Sequence, residues 1–271
     1  MQIKPDMLVA WPTTLDYPAF RIHLKEYRHL FEKIIILWSN HNAYMRFAGK
    51  NIKFIEKELS ELKVEFQSYR EADAQPDKDW ANRLYRAGFK KSTSRYVLLT
   101  QQDFIVNNKS FYDTVLTDQY SMISHFSNGC NLSNNEFTRF EPDFILIDNS
   151  ILKQTSMDVS IGVHPIAGIG LDHCGVLSHE IKKICSDIKT LEEFNLFCPK
   201  DWEHLSGLTQ NYSYVIKNDF SSITQPERFI KYNKDLLKVI KEVNVLPETM
   251  QLIINSANFS TLKEVFNESS C

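Results

Sequence analysis

The stretch that most limits the fold is KIIILWSN, residues 33–40, in which Ile34 through Trp38 are apolar without interruption before the polar Ser39-Asn40 end. A strand with one wet face alternates apolar and polar residues, because successive side chains point to opposite sides. An unbroken apolar run therefore belongs to a strand covered on both faces, as in a parallel sheet with helices on either side. MLVAW (7–11) and the start of YVLLTQQDFIV (96–106) read the same way, and KVEFQSY (63–69) supplies a further strand. Between them lie helical stretches: in YPAFRIHLKEYRHLF, Phe20, Leu24, Tyr27 and Phe31 recur at intervals of three or four, the spacing of one helix face. Another helical stretch runs to about Leu62, and DWANRLYRAGFKK precedes YVLLTQQDFIV. The first half thus alternates strand and helix, the pattern of an α/β sheet.

The second half reads as more mixed. YSMISHF and FTRFEPDFILIDNSIL are expected to pair as strands, IGVHPIAGIG is a Gly-rich loop, and LDHCGVLSHEIKKICSDI is a helix with Asp172 near its start, Asp being a favoured N-cap. PERFIKYNKDLLKVIKEV and PETMQLIINSANFSTLKEVF each open on a Pro suited to a first helical turn, and form a C-terminal helical extension.

Composition excludes several classes. A net charge of -3 over 271 residues and a pI near 6.3 give no global basic field for nucleic acid or an anionic bilayer. The start, MQIKPDMLVAWP, lacks a signal-peptide pattern, and no apolar run approaches a membrane span, so no integral membrane segment is expected and the reading is cytoplasmic. Cys130, Cys174, Cys185, Cys198 and Cys271 are odd in number and widely spaced, which suggests neither a disulfide framework nor a zinc ribbon. His164, His173, Cys174 and His179 cluster in sequence, but 173 and 179 do not share a helix face.

In an open parallel sheet ligands bind beyond the carboxyl ends of the strands, so the polar strand ends matter. They are Pro12-Thr13-Thr14, Ser39-Asn40-His41-Asn42, the loop READAQPDKD and Gln101-Gln102-Asp103.

The order of VAWPTT, IILWSN and DWANRLYRAGFKKSTSRYVLLTQQDF resembles the nucleotide-sugar-binding half of GT-A-fold glycosyltransferases, in a family 2-like form. Gly88-Phe89 matches the family's Gly-apolar pair, Arg95-Tyr96 its polar-Tyr step, and Gln101-Gln102-Asp103 falls on its Asp-x-Asp. The match covers roughly the first 110 residues and is by architecture alone beyond them. The resemblance implies an α/β, GT-A (Rossmann-like) fold: a mixed, mainly parallel sheet flanked by helices, with a C-terminal helical extension. A catalytic domain would span residues 1–220, with a nucleotide-sugar half at 1–110 and an acceptor half at 111–220, and the extension would span 221–271.

Transfer from a nucleotide-sugar donor, expected to be a UDP-sugar, builds negative charge on a diphosphate leaving group, which a divalent cation held by carboxylate oxygen neutralises. By resemblance Asp103 makes that contact to Mn2+ or Mg2+, and His204, in DWEHLSGLTQNYSY, reaches the metal or the diphosphate from a late loop, with His173 a competitor. Gln101 departs from the family: it keeps an acceptor and loses a charge, which weakens metal binding and leaves metal-independent transfer open. Pro12, Thr13, Asn40, Asp79, Arg83, Gln101, Gln102 and Asp103 are the donor-side candidates, Arg83 or Arg86 being suited to bidentate contact with phosphate. Asp172 stands where the family places the base that takes the acceptor hydroxyl's proton, and Asp143 is held in reserve. The acceptor could be a glycan, a protein or a hydroxymethylated DNA base; for the last, RAGFKKSTSR and HEIKKICSDIK are the basic tracks on offer. A nucleotidyltransferase of related fold is disfavoured because AWPTTLDYPAF has no Gly, and a non-catalytic nucleotide-sugar-binding module is the reading that Gln101 itself favours.

Overall fold

The computed structural model describes residues 2–10, 17–39, 57, 59–62, 64–69, 80–128, 138–159, 162–164, 169–171, 174–204, 211, 214 and 219–223. Strands β1 (Asp6–Ala10), β2 (Ile34–Ser39), β3 (Glu65–Tyr69), β4 (Tyr96–Gln101), β6 (Met122–Asn128), β7 (Thr138–Asp148) and β10 (Ile188–Thr190) form one seven-stranded sheet, in the order β10-β6-β7-β4-β1-β2-β3. Neighbours are parallel from β4 through β1 and β2 to β3 and again between β10 and β6, while β7 runs antiparallel to both β4 and β6. This is the mixed, mainly parallel sheet flanked by helices that the sequence led us to expect.

The unbroken apolar runs have the predicted cause. One core holds Met7, Val9, Ile34, Ile36, Tyr96, Leu98, Phe144 and Leu146 with Phe20, Leu24 and Tyr27 of helix α1 (Tyr17–Tyr27). The alternate residues Leu8, Ile35, Leu37, Val97, Leu99, Ile145 and Ile147 lie in a second core. There they pack with Tyr85 and Phe89 of α2 (Trp80–Lys91) and with Leu177 and Ile181 of a later helix. Each strand thus feeds two cores in alternation. The short helix α3 (Phe111–Val115) adds Phe111, Tyr112 and Val115 to the first core, and α4 (Asn149–Leu152) adds Leu152 to the second.

One buried carboxylate fixes where β4 begins. Asp6 is fully buried at the start of β1; its Oδ2 accepts hydrogen bonds from the Ser92 hydroxyl (2.8 Å), the Thr93 amide (2.7 Å) and the Ser94 amide (3.0 Å), and its Oδ1 from the Ser94 hydroxyl (2.8 Å). The turn after α2 is thereby stapled to β1, and β4 starts in register with it, Asp6 opposite Val97 and Ala10 opposite Gln101.

The strand at the start of YVLLTQQDFIV ends at its polar tip as expected: β4 stops at Gln101, the chain turns at 102–103, and a separate strand, β5 (Phe104–Val106), leaves the main sheet to pair antiparallel with β11 (Trp202–His204). Two expectations need correction. IGVHPIAGIG contains a two-stranded antiparallel ribbon, β8 (Gly162–His164) with β9 (Ile169–Leu171). The helix read over LDHCGVLSHEIKKICSDI is α5 (Gly175–Ile184). It starts late because Cys174, at φ 63°, takes the left-handed conformation as its N-cap, and it ends early because Ile188–Thr190 pair with β6. YSMISHF and FTRFEPDFILID do pair antiparallel, as β6 and β7. The two C-terminal helices lie outside the described residues. No helix among the described residues is long and apolar enough to cross a membrane.

Candidate functional site

From β1 the parallel strands step outward to β2 and β3, while β4 lies on the other side of β1. The direction of the sheet therefore reverses between β1 and β4, and such a switch point opens a crevice at the strands' carboxyl ends. Gln101, paired with Ala10, is the last residue of β4 at that crevice, and Gln102 and Asp103 form the turn beyond it.

Two further elements bring side chains to this tip. β11 sets His204 opposite Phe104, one residue beyond Asp103. It is held there by Trp202, whose buried indole stacks on Phe104 with ring centroids 5.3 Å apart. The buried Asp201 also anchors it, accepting hydrogen bonds from the Phe197 amide (2.9 Å) and the Asn108 side chain (2.8 Å). On the other flank, the antiparallel pairing of β7 with β4 sets Phe144 opposite Thr100, so Asp143 comes level with the tip; the Thr100 hydroxyl donates to the Asp143 carbonyl at 2.8 Å. The β6–β7 register shifts between Ser124 and Phe126, and a shift of this kind re-aims the side chain at the irregularity. That residue is His125.

The side chains form a chain of contacts. His204 Nε2 lies 2.9 Å from Gln101 Oε1 and 3.3 Å from Asp103 Oδ1, and its Nδ1 lies 3.6 Å from Asp143 Oδ2. Asp143, fully buried, has His125 Nδ1 at 3.0 and 3.3 Å from its two oxygens, and the His125 ring meets Trp202 edge-on at 4.5 Å. Burial by itself would lower the His204 pKa, but Asp103, Asp143 and Glu141 outweigh it and raise the value to about 9. His125 is likewise raised: burial opposes protonation, and the hydrogen bond and charge of Asp143, with Glu141 and Glu192, prevail. The tip thus sets an imidazole whose protonation its neighbours favour beside carboxylate and amide oxygens, an arrangement able to meet an anionic group or a metal ion.

Gln101, Asp103 and His204 are therefore brought together, with Gln102 buried beside them. Arg83 lies on α2, and its side chain is outside the described residues. Arg86 donates from Nε to the Ser156 carbonyl at 3.2 Å, so its guanidinium is engaged in a contact within the chain. Pro12, Thr13, Asn40, Asp79, Asp172 and His173 lie outside the described residues; Asn40 directly follows the end of β2, and Pro12 and Thr13 closely follow β1. Among the described residues no group of three or more His, Cys, Asp or Glu is arranged to hold a metal ion; the tip offers two such donors, Asp103 and His204, with the Gln101 amide oxygen beside them. Asp143, held in reserve as a base, lies between His125 and His204. His125 was not singled out in the sequence; the one signal it gives is a polar ring inside the strand YSMISHF.

No family model matches the chain, and no curated protein matches it. Solved structures do. One is a mannosyltransferase from Pyrobaculum calidifontis in complex with GDP-Man and Mn2+, 10% identical over 96% of this chain and 83% of that one, with a TM-score of 0.48. Glucosyl-3-phosphoglycerate synthase from Mycobacterium tuberculosis, in complex with phosphoglyceric acid, is 9% identical over 68% of each chain, with a TM-score of 0.40. The inositol-1-phosphate CTP transferase from T. maritima is 10% identical over 70% of this chain and 86% of that one, with a TM-score of 0.42. At these identities and TM-scores the likenesses carry no information about the chemistry of this chain.

Proposed function

We propose that the chain is a GT-A-type glycosyltransferase that moves a sugar from a nucleotide-sugar donor, a UDP-sugar, to a hydroxyl acceptor. The observation that carries this reading is the convergence of Gln101, Asp103 and His204 at the carboxyl end of β4, at the switch point of the sheet. A diphosphate seated there would meet the His204 imidazole and the oxygens of Gln101 and Asp103, which the described residues already gather.

Asp103 and His204 are the residues that would hold a divalent cation, with Gln101 Oε1 as a neutral third donor. The fit is supported by the donor set: a carboxylate oxygen, an amide oxygen and an imidazole nitrogen converge on one point, groups of the kind that divalent cations accept as ligands. Such an ion supplies charge neutralisation on the departing diphosphate. The chain's own residues do the rest. Asp103 fixes the negative pole of the tip, His204 turns a nitrogen to it, and Gln102 fills the turn. Pro12, Thr13 and Asn40, following β1 and β2, are proposed to bound the nucleoside. Asp79 and Arg83 are proposed to reach the ribose and phosphates at the start of α2. Asp172, shortly before α5, is proposed to take the acceptor hydroxyl's proton. Catalysis is then positioning together with leaving-group stabilisation.

The test is a mass-spectrometric screen of the purified chain against a panel of nucleotide sugars, with and without Mn2+, reading free nucleoside diphosphate. Release from one donor, abolished in Asp103→Asn, supports the reading. Binding of a donor with no release under any condition, acceptors included, identifies a binding module instead.

A further inference from the structure

Ser124 pairs with Ile145 and Phe126 with Phe140, so on β6 His125 alone spans residues 141–144 of β7. A bulge of this kind parts the two strands and re-aims the side chain that faces it, and Pro142 within it has no N–H with which to close the gap. His125 is the side chain so placed. Its Nδ1 lies 3.0 and 3.3 Å from the oxygens of the fully buried Asp143, and its ring meets that of Trp202 at 4.5 Å between centroids. A carboxylate only accepts hydrogen bonds, so Nδ1 is the nitrogen engaged by Asp143 and Nε2 is the one left to meet something else. Among the described residues Nε2 has no hydrogen-bond partner, while 25% of the side chain stays exposed.

The opening lies beside the tip, on one particular side of it. Asp143 Oδ2 touches both rings, at 3.0 Å from His125 Nδ1 and 3.6 Å from His204 Nδ1, so a single carboxylate separates His125 from the side chains gathered at Gln101 and Asp103. In the sheet order β10-β6-β7-β4-β1-β2-β3, β6 lies across β7 from β4, opposite to β1 and β2, whose ends are proposed to bound the nucleoside. A ligand group at His125 Nε2 is therefore on the other side of the diphosphate position from the nucleoside, where the molecule receiving the sugar stands. Charge narrows its class. The charges that act most on the ring belong to Asp143, Glu141 and Glu192, and a phosphate or carboxylate brought to it would be repelled by them. A hydroxyl meets no such repulsion and can either donate to an imidazole nitrogen or accept from it.

We propose that His125 Nε2 is a binding position for a hydroxyl group of a neutral saccharide, the acceptor, with Asp143 holding the ring by its other nitrogen. That the saccharide is an acceptor rests on the transferase reading; that its hydroxyl binds at Nε2 does not.

The test uses the full chain without donor or metal. Methyl glycosides of glucose, galactose and mannose, the disaccharides maltose and lactose and, for contrast, a hexose phosphate and inorganic phosphate are titrated in turn at a fixed neutral pH. Nitrogen–proton correlation spectra follow the histidine side chains, His125 being assigned through its own backbone, and saturation transfer to the sugar protons gives the affinity. At least one neutral saccharide is expected to move the His125 signal saturably while His23 and His29, on and beside α1, keep theirs. The same saccharide is expected to bind His125→Ala at least about threefold more weakly, as the loss of one hydrogen bond requires. A His125 signal that no saccharide moves, a response to the phosphates as strong as to any saccharide, or equal affinity in a folded His125→Ala chain overturns the proposal. If His125→Ala fails to fold, the wild-type titration decides alone. Titration of UDP involves no saccharide, so a chain that binds a saccharide at His125 and no UDP sinks the transferase reading alone, and the reverse result sinks this one alone.

Discussion

Replacing Asp6 tests how the site is built from the far end of the sheet. The carboxylate is fully buried and accepts four hydrogen bonds, two from hydroxyls and two from the backbone amides of Thr93 and Ser94. Asn keeps the shape and one oxygen for the three bonds now made to Oδ2, and its amide can donate to the Ser94 hydroxyl. What it loses is the charge, and the difference between charged and neutral hydrogen bonds sets the loss at about 2 kcal/mol. Ala removes every partner and strands two amides, each costing about 1–3 kcal/mol, so a loss of about 3–5 kcal/mol is expected. The pH dependence separates charge from shape. Burial raises the Asp6 pKa, but the hydrogen bonds from Ser94, Ser92 and Thr93 outweigh it and leave the value below the ordinary one. A depressed carboxylate contributes stability that is complete above its unfolded value, about 3.9, and is lost as the pH falls through the folded-state value. Denaturant unfolding followed by far-UV circular dichroism at neutral pH and near pH 3 is the assay. Asn is expected to fall between wild type and Ala at neutral pH, and the wild-type advantage over Asn to shrink in acid. An Ala variant within about 1 kcal/mol of wild type, well short of the amide cost above, or an advantage over Asn that does not change with pH, refutes the account of the staple.

Two other perturbations probe the packing. Gly88→Ala would place a methyl 2.7 Å from Leu37 Cδ1 and 2.9 Å from Leu8 Cδ2, in a core where both leucines are fully buried. Overpacking of about 1–3 kcal/mol exceeds the gain of about 1 kcal/mol in helix propensity, so unfolding should shift to lower denaturant; a stabilised variant would show that α2 does not lie so close to β1 and β2. His23, bonded to the Tyr112 hydroxyl at 2.9 Å, has its pKa pulled down to about 4 by burial. A histidine lowered in this way contributes stability that is whole above its unfolded value of about 6.5 and is lost as the pH falls toward 4, by about 1–2 kcal/mol after allowance for the ring's partial exposure. The difference in stability between wild type and His23→Gln should narrow over that interval, and a constant difference counts against it.

The sheet was legible because its strands are apolar on both faces, and Ile34–Leu37 state this as plainly in the sequence as in the two cores they enter. The tip was legible because Gln101-Gln102-Asp103 follows such a run directly. Its partners were not, for two reasons. His125 depends on a register shift between β6 and β7, which no local pattern encodes. β11 is a three-residue strand whose existence depends on β5 leaving the main sheet, so His204 read as a loop residue although a strand carries it. Gly88 shows the opposite case: the family resemblance marked it, and the structure supplies the cause, the approach of α2 to Leu37 and Leu8.

The most direct test of the central claim, that the end of β4 is where a nucleoside diphosphate binds, is calorimetric titration of UDP, with Mn2+ present, into the wild-type chain and into Asp103→Asn. The account predicts saturable binding to the wild type and a loss of at least about tenfold in affinity, near 1.4 kcal/mol, in the variant. Equal binding by the two chains, or none by either, would contradict it.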